Sequence, residues 1–170
     1  MEHEKLVAVG RFTRPHGVRG ELVFLPYVSD TALLPDLSDR QVTLRHKTAA
    51  SQTRTLLKWR LAHSRVLMQI SGCRDPYEAE LLRDYEVLVP RQWFSPLPAG
   101  EYYWFEIEGL TVYAGDGRPL GIVTDIIHTG SNDVYVVSQE DRETLVPALK
   151  DIVRAIDLGG GAMYLHNLPG

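Results

Sequence analysis

Three side chains that can donate hydrogen bonds to phosphate or carbonyl oxygens stand close together near the amino terminus: Arg14, His16 and Arg19. They lie in the segment 13–20, where one proline and two glycines predict a connecting loop between strands. His16 could act as a general base, but no nearby serine, cysteine or acid pair completes a catalytic arrangement. The segment also lacks the glycine spacing of phosphate-binding loops. The favoured interpretation is a tight turn with a polar cap, and a binding loop is the alternative.

The second chemical feature is a run of four aromatic residues, Tyr102-Tyr103-Trp104-Phe105, directly behind the proline-rich stretch 90–98. If the run forms a strand, Tyr102 and Trp104 share one face, and Tyr103 and Phe105 share the other. One pair can then fill a core, while the other meets a neighbouring domain, a partner or water. We interpret the run as the start of a second domain that presents aromatic surface for binding. Burial of both pairs is the competing interpretation.

The rest of the chain shows no arrangement of residues typical of an enzyme. Cys73 is the single cysteine, and the six histidines are scattered, so no metal-ligand spacing is present. No G-x-S-x-G or other nucleophile motif occurs. Glu106 and Glu108 would share a strand face, where solvent-facing carboxylates are a simpler interpretation than acid–base catalysis. Because the common catalytic patterns are all missing, the sequence favours a binding protein with no catalytic residue, metal or cofactor.

Composition places the chain among soluble globular proteins. Its 170 residues suit one domain or two small ones, and 44% of them are hydrophobic. A single cysteine excludes an intramolecular disulfide framework and fits a reducing compartment. The first residues do not read as a secretory signal, and no window approaches eighteen uninterrupted apolar residues. These features predict a cytoplasmic protein that does not enter a membrane.

Charge is distributed unevenly along the chain. Residues 1–92 carry fourteen Lys/Arg against eleven Asp/Glu, a net charge of +3, whereas residues 93–170 carry four against eleven, a net charge of −7. The basic N-terminal part could lie against phosphates, while the acidic C-terminal part would repel phosphates and attract a basic protein. The alternative is a solvated surface with a chance imbalance.

Short runs of β-forming residues separated by turn signals predict an all-β fold, either small barrels or sandwiches. One helix is predicted over 75–83, with Asp75 as N-cap and Pro76 at the first helical position. One or two helical turns are expected at 148–152, Gly121 is expected at a bulge or bend, and turns are expected at 115–117 and at 130–133. The expected strands cover residues 6–12, 21–25, 40–45, 53–60, 65–70, 85–89, 110–113, 120–127, 134–137, 144–147 and 163–165.

Short motifs are spread over nearly the whole chain in a specific order and spacing. They are Val9-Gly10-Arg11, Pro15-His16-Gly17-Val18-Arg19-Gly20-Glu21, Glu78-Ala79-Glu80, Glu101-Tyr102-Tyr103-Trp104, Gly115-Asp116-Gly117 with Leu120-Gly121, Gly130-Ser131-Asn132-Asp133-Val134, and Leu145-Val146-Pro147-Ala148 ahead of Ile156-Asp157. Together these motifs resemble the RimM family of bacterial ribosome maturation factors. Two positions depart from the family pattern: Asp84 stands where the family tends to have glycine, and Glu108 where an apolar residue usually precedes Gly109.

The resemblance implies two small β-barrels with short helices. The expected domains are an N-terminal barrel over 1–92, related to translation-factor and reductase barrels, and a PRC-barrel over 100–170, joined by a proline-rich linker at 93–99. The resemblance also implies a non-enzymatic role in 16S rRNA processing and in assembly of the head of the 30S subunit. The implied partner is ribosomal protein nineteen of the small subunit, bound chiefly through the C-terminal domain.

The resemblance also indicates site residues. Tyr102 and Tyr103 correspond to paired tyrosines of the family and are the expected partner-binding residues. Independently of the resemblance, the hydrogen-bond donors Arg14, His16 and Arg19 are candidates for contact with rRNA or a partner. The chain is expected to act as a cytoplasmic monomer on the immature 30S subunit, without a cofactor or a membrane.

Two other functions stay open at this point. A reductase-like enzyme that binds a flavin or a nucleotide is suggested by the glycine-bearing loop at 15–20 and by analogy between barrels, although a fold does not establish a function. Direct non-specific RNA binding by residues 1–92 is suggested by their positive charge.

Overall fold

The computed structural model describes residues 5–28, 31–129 and 131–167. The chain divides into two compact units, an N-terminal unit (Met1–Pro96) and a C-terminal unit (Leu97–Gly170). Each unit contains its own six-stranded β-sheet, and the α-helices are short. The predicted all-β class with short helices is therefore confirmed. No helix in the described part of the chain has the length and apolar character needed to cross a membrane.

The sheet of the N-terminal unit closes into a barrel in which every neighbouring pair is antiparallel. The strand order around the barrel is β1-β2-β5-β4-β3-β6. Its interior is filled by alternate apolar residues of the strands, with Val9, Phe12 and Leu44 fully buried. The strands are β1 (Leu6–His16), β2 (Glu21–Pro26), β3 (Arg40–Arg45), β4 (Gln52–Ala62), β5 (Arg65–Ile70) and β6 (Glu86–Pro90).

Residues 13–16 belong to β1, so the prediction of a loop over 13–20 is wrong for its first half. The ladder between β1 and β6 ends at Arg11, and beyond it β1 pairs with β2, where Pro15 lies opposite Leu22. A proline is tolerated in a strand that has a neighbour on one side only, because the missing N–H need not serve a second ladder. The connection itself is reduced to residues 17–20.

The predicted helix is present as α1 (Pro76–Glu80), three residues shorter than expected. The Asp75 carboxylate accepts a hydrogen bond from the Glu78 N–H at 2.8 Å, and this confirms the predicted N-cap. Ala79 is buried against the barrel, whereas Tyr77 points to solvent and is 74% exposed.

Glu86 connects three segments of the N-terminal barrel. Its Oε2 accepts a hydrogen bond from the Tyr27 hydroxyl at 2.7 Å, and its Oε1 accepts one from Arg45 Nη2 at 2.8 Å. Desolvation by burial is the largest influence on the pKa of Glu86 and acts upward, but the hydrogen bonds from Arg45 and Tyr27 hold this pKa below its usual value. Burial, followed by the hydrogen bond to Glu86, raises the pKa of Tyr27. The network therefore stabilises the ionised carboxylate.

Glu86→Gln is expected to lower the free energy of unfolding by about 1 kcal/mol at neutral pH, since the charge-assisted hydrogen bonds from Tyr27 and Arg45 are weakened at a partly exposed site. Because the folded-state pKa of Glu86 lies below its unfolded value, this contribution is complete above the unfolded pKa and is lost as pH falls through the folded pKa. Urea titrations of both proteins at neutral and acidic pH measure the difference. If the two proteins differed in unfolding free energy by the same amount at every pH, the stabilising role of the ionised Glu86 carboxylate would be contradicted. Glu80→Gln is the matched control, because Glu80 forms an exposed ion pair with Arg83.

The C-terminal sheet has the order β10-β9-β8-β7-β12-β11, in which β7 and β12 are parallel and the other pairs are antiparallel. Buried residues such as Val112, Val137 and Met163 form its core. A helix, α2 (Trp104–Ile107), precedes the sheet. The strands are β7 (Thr111–Tyr113), β8 (Pro119–His128), β9 (Asp133–Gln139), β10 (Arg142–Pro147), β11 (Val153–Asp157) and β12 (Ala162–Leu165).

The connections of the C-terminal sheet agree with the sequence in two places and differ in one. The register between β7 and β8 shifts beside Gly121, which confirms the predicted bulge. The turn at 115–117 joins β7 and β8 as expected. A second turn was expected at 130–133, and its first residue, Gly130, lies outside the described residues. Residues 148–152 form a hydrogen-bonded turn but no helix, and β11, which follows it, was not predicted.

Candidate functional site

The aromatic run does not form the expected strand. Tyr103 has extended backbone angles and serves as the N-cap of α2, and the Glu106 carboxylate accepts a hydrogen bond from the Tyr103 N–H at 3.1 Å. An acidic residue three positions after the cap is the signal that could have revealed this helix start. Trp104 is the first residue of α2 and Tyr102 precedes the helix, so the strand in which the two side chains were expected to share a face is not formed.

Tyr103 is buried rather than presented to a partner. Its ring stacks on Phe105 with centroids 5.2 Å apart and meets the edge of Trp104 at 6.3 Å, and the residue is 6% exposed. Burial raises the pKa of the Tyr103 hydroxyl, and the nearby Glu106 carboxylate adds to this. Tyr103 therefore presents little exposed surface, and its assignment as a partner-binding residue stays a prediction.

Tyr102 occupies a different environment. It is half-buried, packs against the core of the C-terminal unit, and lines a surface groove of about 260 Å³. We call this the β11 groove, because four consecutive residues of β11 form one side of it. Its lining combines apolar side chains with the cations Lys150 and Arg154; in full it consists of Gly100, Tyr102, Tyr135, Ala148, Leu149, Lys150, Val153, Arg154, Ala155 and Ile156.

The charge at the β11 groove differs from the charge of the unit that contains it. Residues 93–170 have a net charge of −7, yet two of their four Lys/Arg residues line the groove. Neither Lys150 nor Arg154 forms an ion pair with another residue in the described part of the chain. The acidic character therefore belongs to the remaining surface, and the groove itself is locally basic.

The other predicted site residues lie at one end of the N-terminal barrel. Arg14 and His16 are two residues apart on β1, and Arg19 is in the turn that leads to β2. Both arginines are exposed and His16 is half-buried. The structure thus places the three residues around one hairpin tip in the N-terminal unit, whereas Tyr102 belongs to the C-terminal unit.

Gly20 ends this hairpin turn for a steric reason. It has a φ of +85°, and a Cβ atom there would lie 2.5 Å from the carbonyl oxygen of Cys73. The Cys73 thiol in turn donates to the carbonyl oxygen of Gly20 at 3.2 Å. The turn is therefore fixed by close backbone packing, which agrees with the predicted tight turn.

No group of three or more His, Cys, Asp or Glu side chains that could hold a metal ion is present among the described residues.

Both halves of the chain match known domain families. The RimM N-terminal domain matches residues 7–94, and the RimM PRC barrel domain matches residues 104–168. Over 168 residues the chain is 37% identical to the ribosome maturation factor RimM of Pseudomonas syringae pv. tomato, covering 96% of this chain and 93% of the relative. The chain belongs to the RimM family. This confirms the resemblance that the motifs indicated.

Other RimM proteins are similar over the same extent. The ribosome maturation factor RimM of Geobacter metallireducens is 37% identical over 165 residues, which cover 97% of this chain and 94% of the relative. The crystal structure of a 16S ribosomal RNA processing protein RimM from Pseudomonas aeruginosa is 32% identical, with a TM-score of 0.46, and covers 95% of this chain and 97% of that chain.

The departure from the RimM pattern at Asp84 has a visible consequence. Asp84 has a φ of +69°, in the left-handed region where glycine carries no steric cost. Its carboxylate lies 3.4 Å from Arg11 Nη1, an exposed and therefore weak pair. At the second departure, desolvation raises the pKa of Glu108, and the neighbouring Asp125 carboxylate contributes further.

Proposed function

We propose that this RimM-family chain is a ribosome maturation factor that assists assembly of the 30S head and processing of 16S rRNA. In this proposal it acts as an assembly factor rather than an enzyme, by binding ribosomal protein nineteen of the small subunit. Membership of the family and the names of its relatives support the general role. The single observation that carries the partner assignment is the groove lined by Tyr102 in a unit of net charge −7.

The two features of the C-terminal unit have separate physical roles. Its excess of carboxylates attracts a basic protein over distances of about a Debye length, roughly 8–10 Å, and so speeds the encounter in a salt-sensitive way. The half-buried ring of Tyr102 then contributes apolar contact at short range, as aromatic side chains do at interface centres.

The N-terminal hairpin tip fits a contact with rRNA. Arg14 and Arg19 are exposed, and His16 lies beside them on the same hairpin, within the part of the chain that has a net charge of +3. Arginine and histidine side chains donate to phosphate oxygens without reading sequence. We therefore assign the rRNA contact to this tip and the protein contact to the C-terminal unit.

Tyr102→Ala is expected to weaken binding to the immature 30S subunit about tenfold or more, because an aromatic anchor is removed from the groove. Tyr103→Ala is expected to act mainly on stability, by about 3 kcal/mol, because a buried and stacked ring is lost. Co-sedimentation with immature subunits measures the first effect, and thermal unfolding measures the second.

The two variants serve as controls for each other. Unchanged co-sedimentation of Tyr102→Ala would count against the proposed partner site. A Tyr103→Ala protein with an unchanged melting temperature and reduced binding would instead show that its ring contacts the partner directly.

A further inference from the structure

The β11 groove runs along the edge of a sheet. Among the described strands, β11 is the last in its sheet and pairs with β12 only. Four consecutive β11 residues, Val153 to Ile156, line the groove, and Arg154 and Ala155 are exposed. An edge strand offers backbone N–H and C=O groups to another strand, and proteins use such edges to bind extended peptides.

The size of the groove favours side chains over a small molecule. Its volume of about 260 Å³ is below the roughly 300–1,000 Å³ typical of small-molecule pockets. Tyr102, Leu149 and Ile156 give it an apolar lining. A space of this kind suits one or two apolar side chains of a bound segment.

The cations at the groove select the charge of that segment. Lys150 and Arg154 have no ion-pair partner in the described chain, although the unit around them is rich in carboxylates. The Arg154 guanidinium lies over the Tyr164 ring, 5.4 Å from its centroid, and Tyr164 stacks on Tyr113 at 5.5 Å. These rings hold the guanidinium in place beside the groove, where it can form a bidentate pair with a carboxylate.

We propose that the β11 groove binds an extended peptide segment in which an apolar side chain is followed by a carboxylate. The backbone of the segment adds to the edge of β11, its apolar side chain fills the space between Tyr102 and Ile156, and its carboxylate pairs with Lys150 and Arg154. The inference rests on the proposed function in taking the surface around Tyr102 as the partner site, and it specifies which segment of a partner that surface accepts. Lys150 and Arg154 could also pair with phosphates, but the apolar side chains of the lining and the free edge of β11 favour a peptide, and the acidic unit around the groove repels nucleic acid.

The test uses the full chain and three fluorescein-labelled probes measured by fluorescence anisotropy. Two synthetic peptides share a Thr-Val-Phe-Val core and end in either Glu-Glu or Lys-Lys, and the third probe is an oligouridylate. The peptide that ends in Glu-Glu is expected to bind at least about tenfold more tightly than its Lys-Lys counterpart. Arg154→Glu is expected to remove this preference, and Arg154→Lys to retain part of it.

Arg142→Glu is the matched control, because Arg142 is an exposed cation of the same unit but lies on β10, outside the groove lining. Equal binding of both peptides, binding of neither, or binding of the oligouridylate in place of the peptides would overturn the inference. The inference would also be overturned if Arg142→Glu and Arg154→Glu changed the preference for the Glu-Glu peptide equally.

Co-sedimentation with immature 30S subunits separates this inference from the proposed function. If the unaltered chain binds the subunits but shows no preference for the acidic peptide, only the inference fails. If the unaltered chain prefers the acidic peptide through Arg154 but does not bind the subunits, only the proposed function fails.

Discussion

Gly121→Ala is expected to destabilise the C-terminal unit by about 2–6 kcal/mol and to abolish binding to the immature 30S subunit. Gly121 has a φ of +130°, and a Cβ atom there would lie 2.3 Å from the carbonyl oxygen of Ser138 on the neighbouring strand. The substitution adds backbone strain of about 1–3 kcal/mol to an overpacking cost of similar size. For a small domain this is a large part of the total stability, which is commonly about 5–15 kcal/mol.

Hydrogen exchange followed by mass spectrometry locates the effect in the intact chain. Amides of β8 and β9 should exchange much faster in Gly121→Ala, and those of the N-terminal barrel should keep their protection. The matched control is Gly117→Ala, since Gly117 also has a positive φ, +90°, but an added Cβ meets nothing within 4 Å. An equal loss in both variants would show that backbone conformation, not the close approach to Ser138, determines the need for glycine.

Gly10→Ala is expected to lower the stability of the N-terminal barrel by about 3 kcal/mol. An added Cβ would lie 2.2 Å from Phe24 Cζ and 2.4 Å from the carbonyl oxygen of Leu25. The Phe24 ring is 2% exposed and meets Phe12 edge-to-face at 6.1 Å, so it cannot move without disturbing the barrel interior. Overpacking a dense core costs about 1–3 kcal/mol, and the fixed backbone oxygen places this case at the upper end.

A double-mutant cycle with Phe24→Leu separates the two contacts of Gly10. The smaller side chain removes the ring atom that an added Cβ would meet but leaves the carbonyl oxygen of Leu25 in place. The cost of Gly10→Ala, measured by urea unfolding, should therefore be smaller in the Phe24→Leu background and still above zero. If Gly10→Ala lowered stability equally in both backgrounds, contact between the added Cβ and the Phe24 ring would not be the cause of the loss. Gly17→Ala, in the β1–β2 turn, adds no contact, so its cost measures only the strain of a φ of +67° and serves as a reference for a glycine change without overpacking.

The two tyrosines show why a sequence motif does not assign equal roles to adjacent residues. Tyr102 faces the β11 groove, whereas Tyr103 caps α2 and is buried. The aromatic composition of the run suggested a recognition surface, but the consecutive aromatics do not show where a helix begins. The sequence signal for the start of α2 is Glu106, three positions after Tyr103, whose carboxylate accepts a hydrogen bond from the Tyr103 N–H.

Features with a local physical cause were predicted well. Asp75 as a helix cap, Gly121 at a bulge and the turn at 115–117 depend on backbone conformation and nearby hydrogen bonds, so the residue types reveal them. Features that depend on contacts between residues far apart in the chain were not predicted. Pro15 lies within β1 because the ladder with β6 ends at Arg11, and that pairing joins residues far apart in the chain.

The sequence by itself determined the β class, the family, the charge difference between the two halves and most of the strands, because each follows from residue type and short-range spacing. Tertiary structure alone decided that Lys150 and Arg154 stand beside Tyr102, about fifty residues earlier in the chain. Their meeting depends on how β11 lies at the edge of its sheet, and no local pattern in the sequence encodes that position.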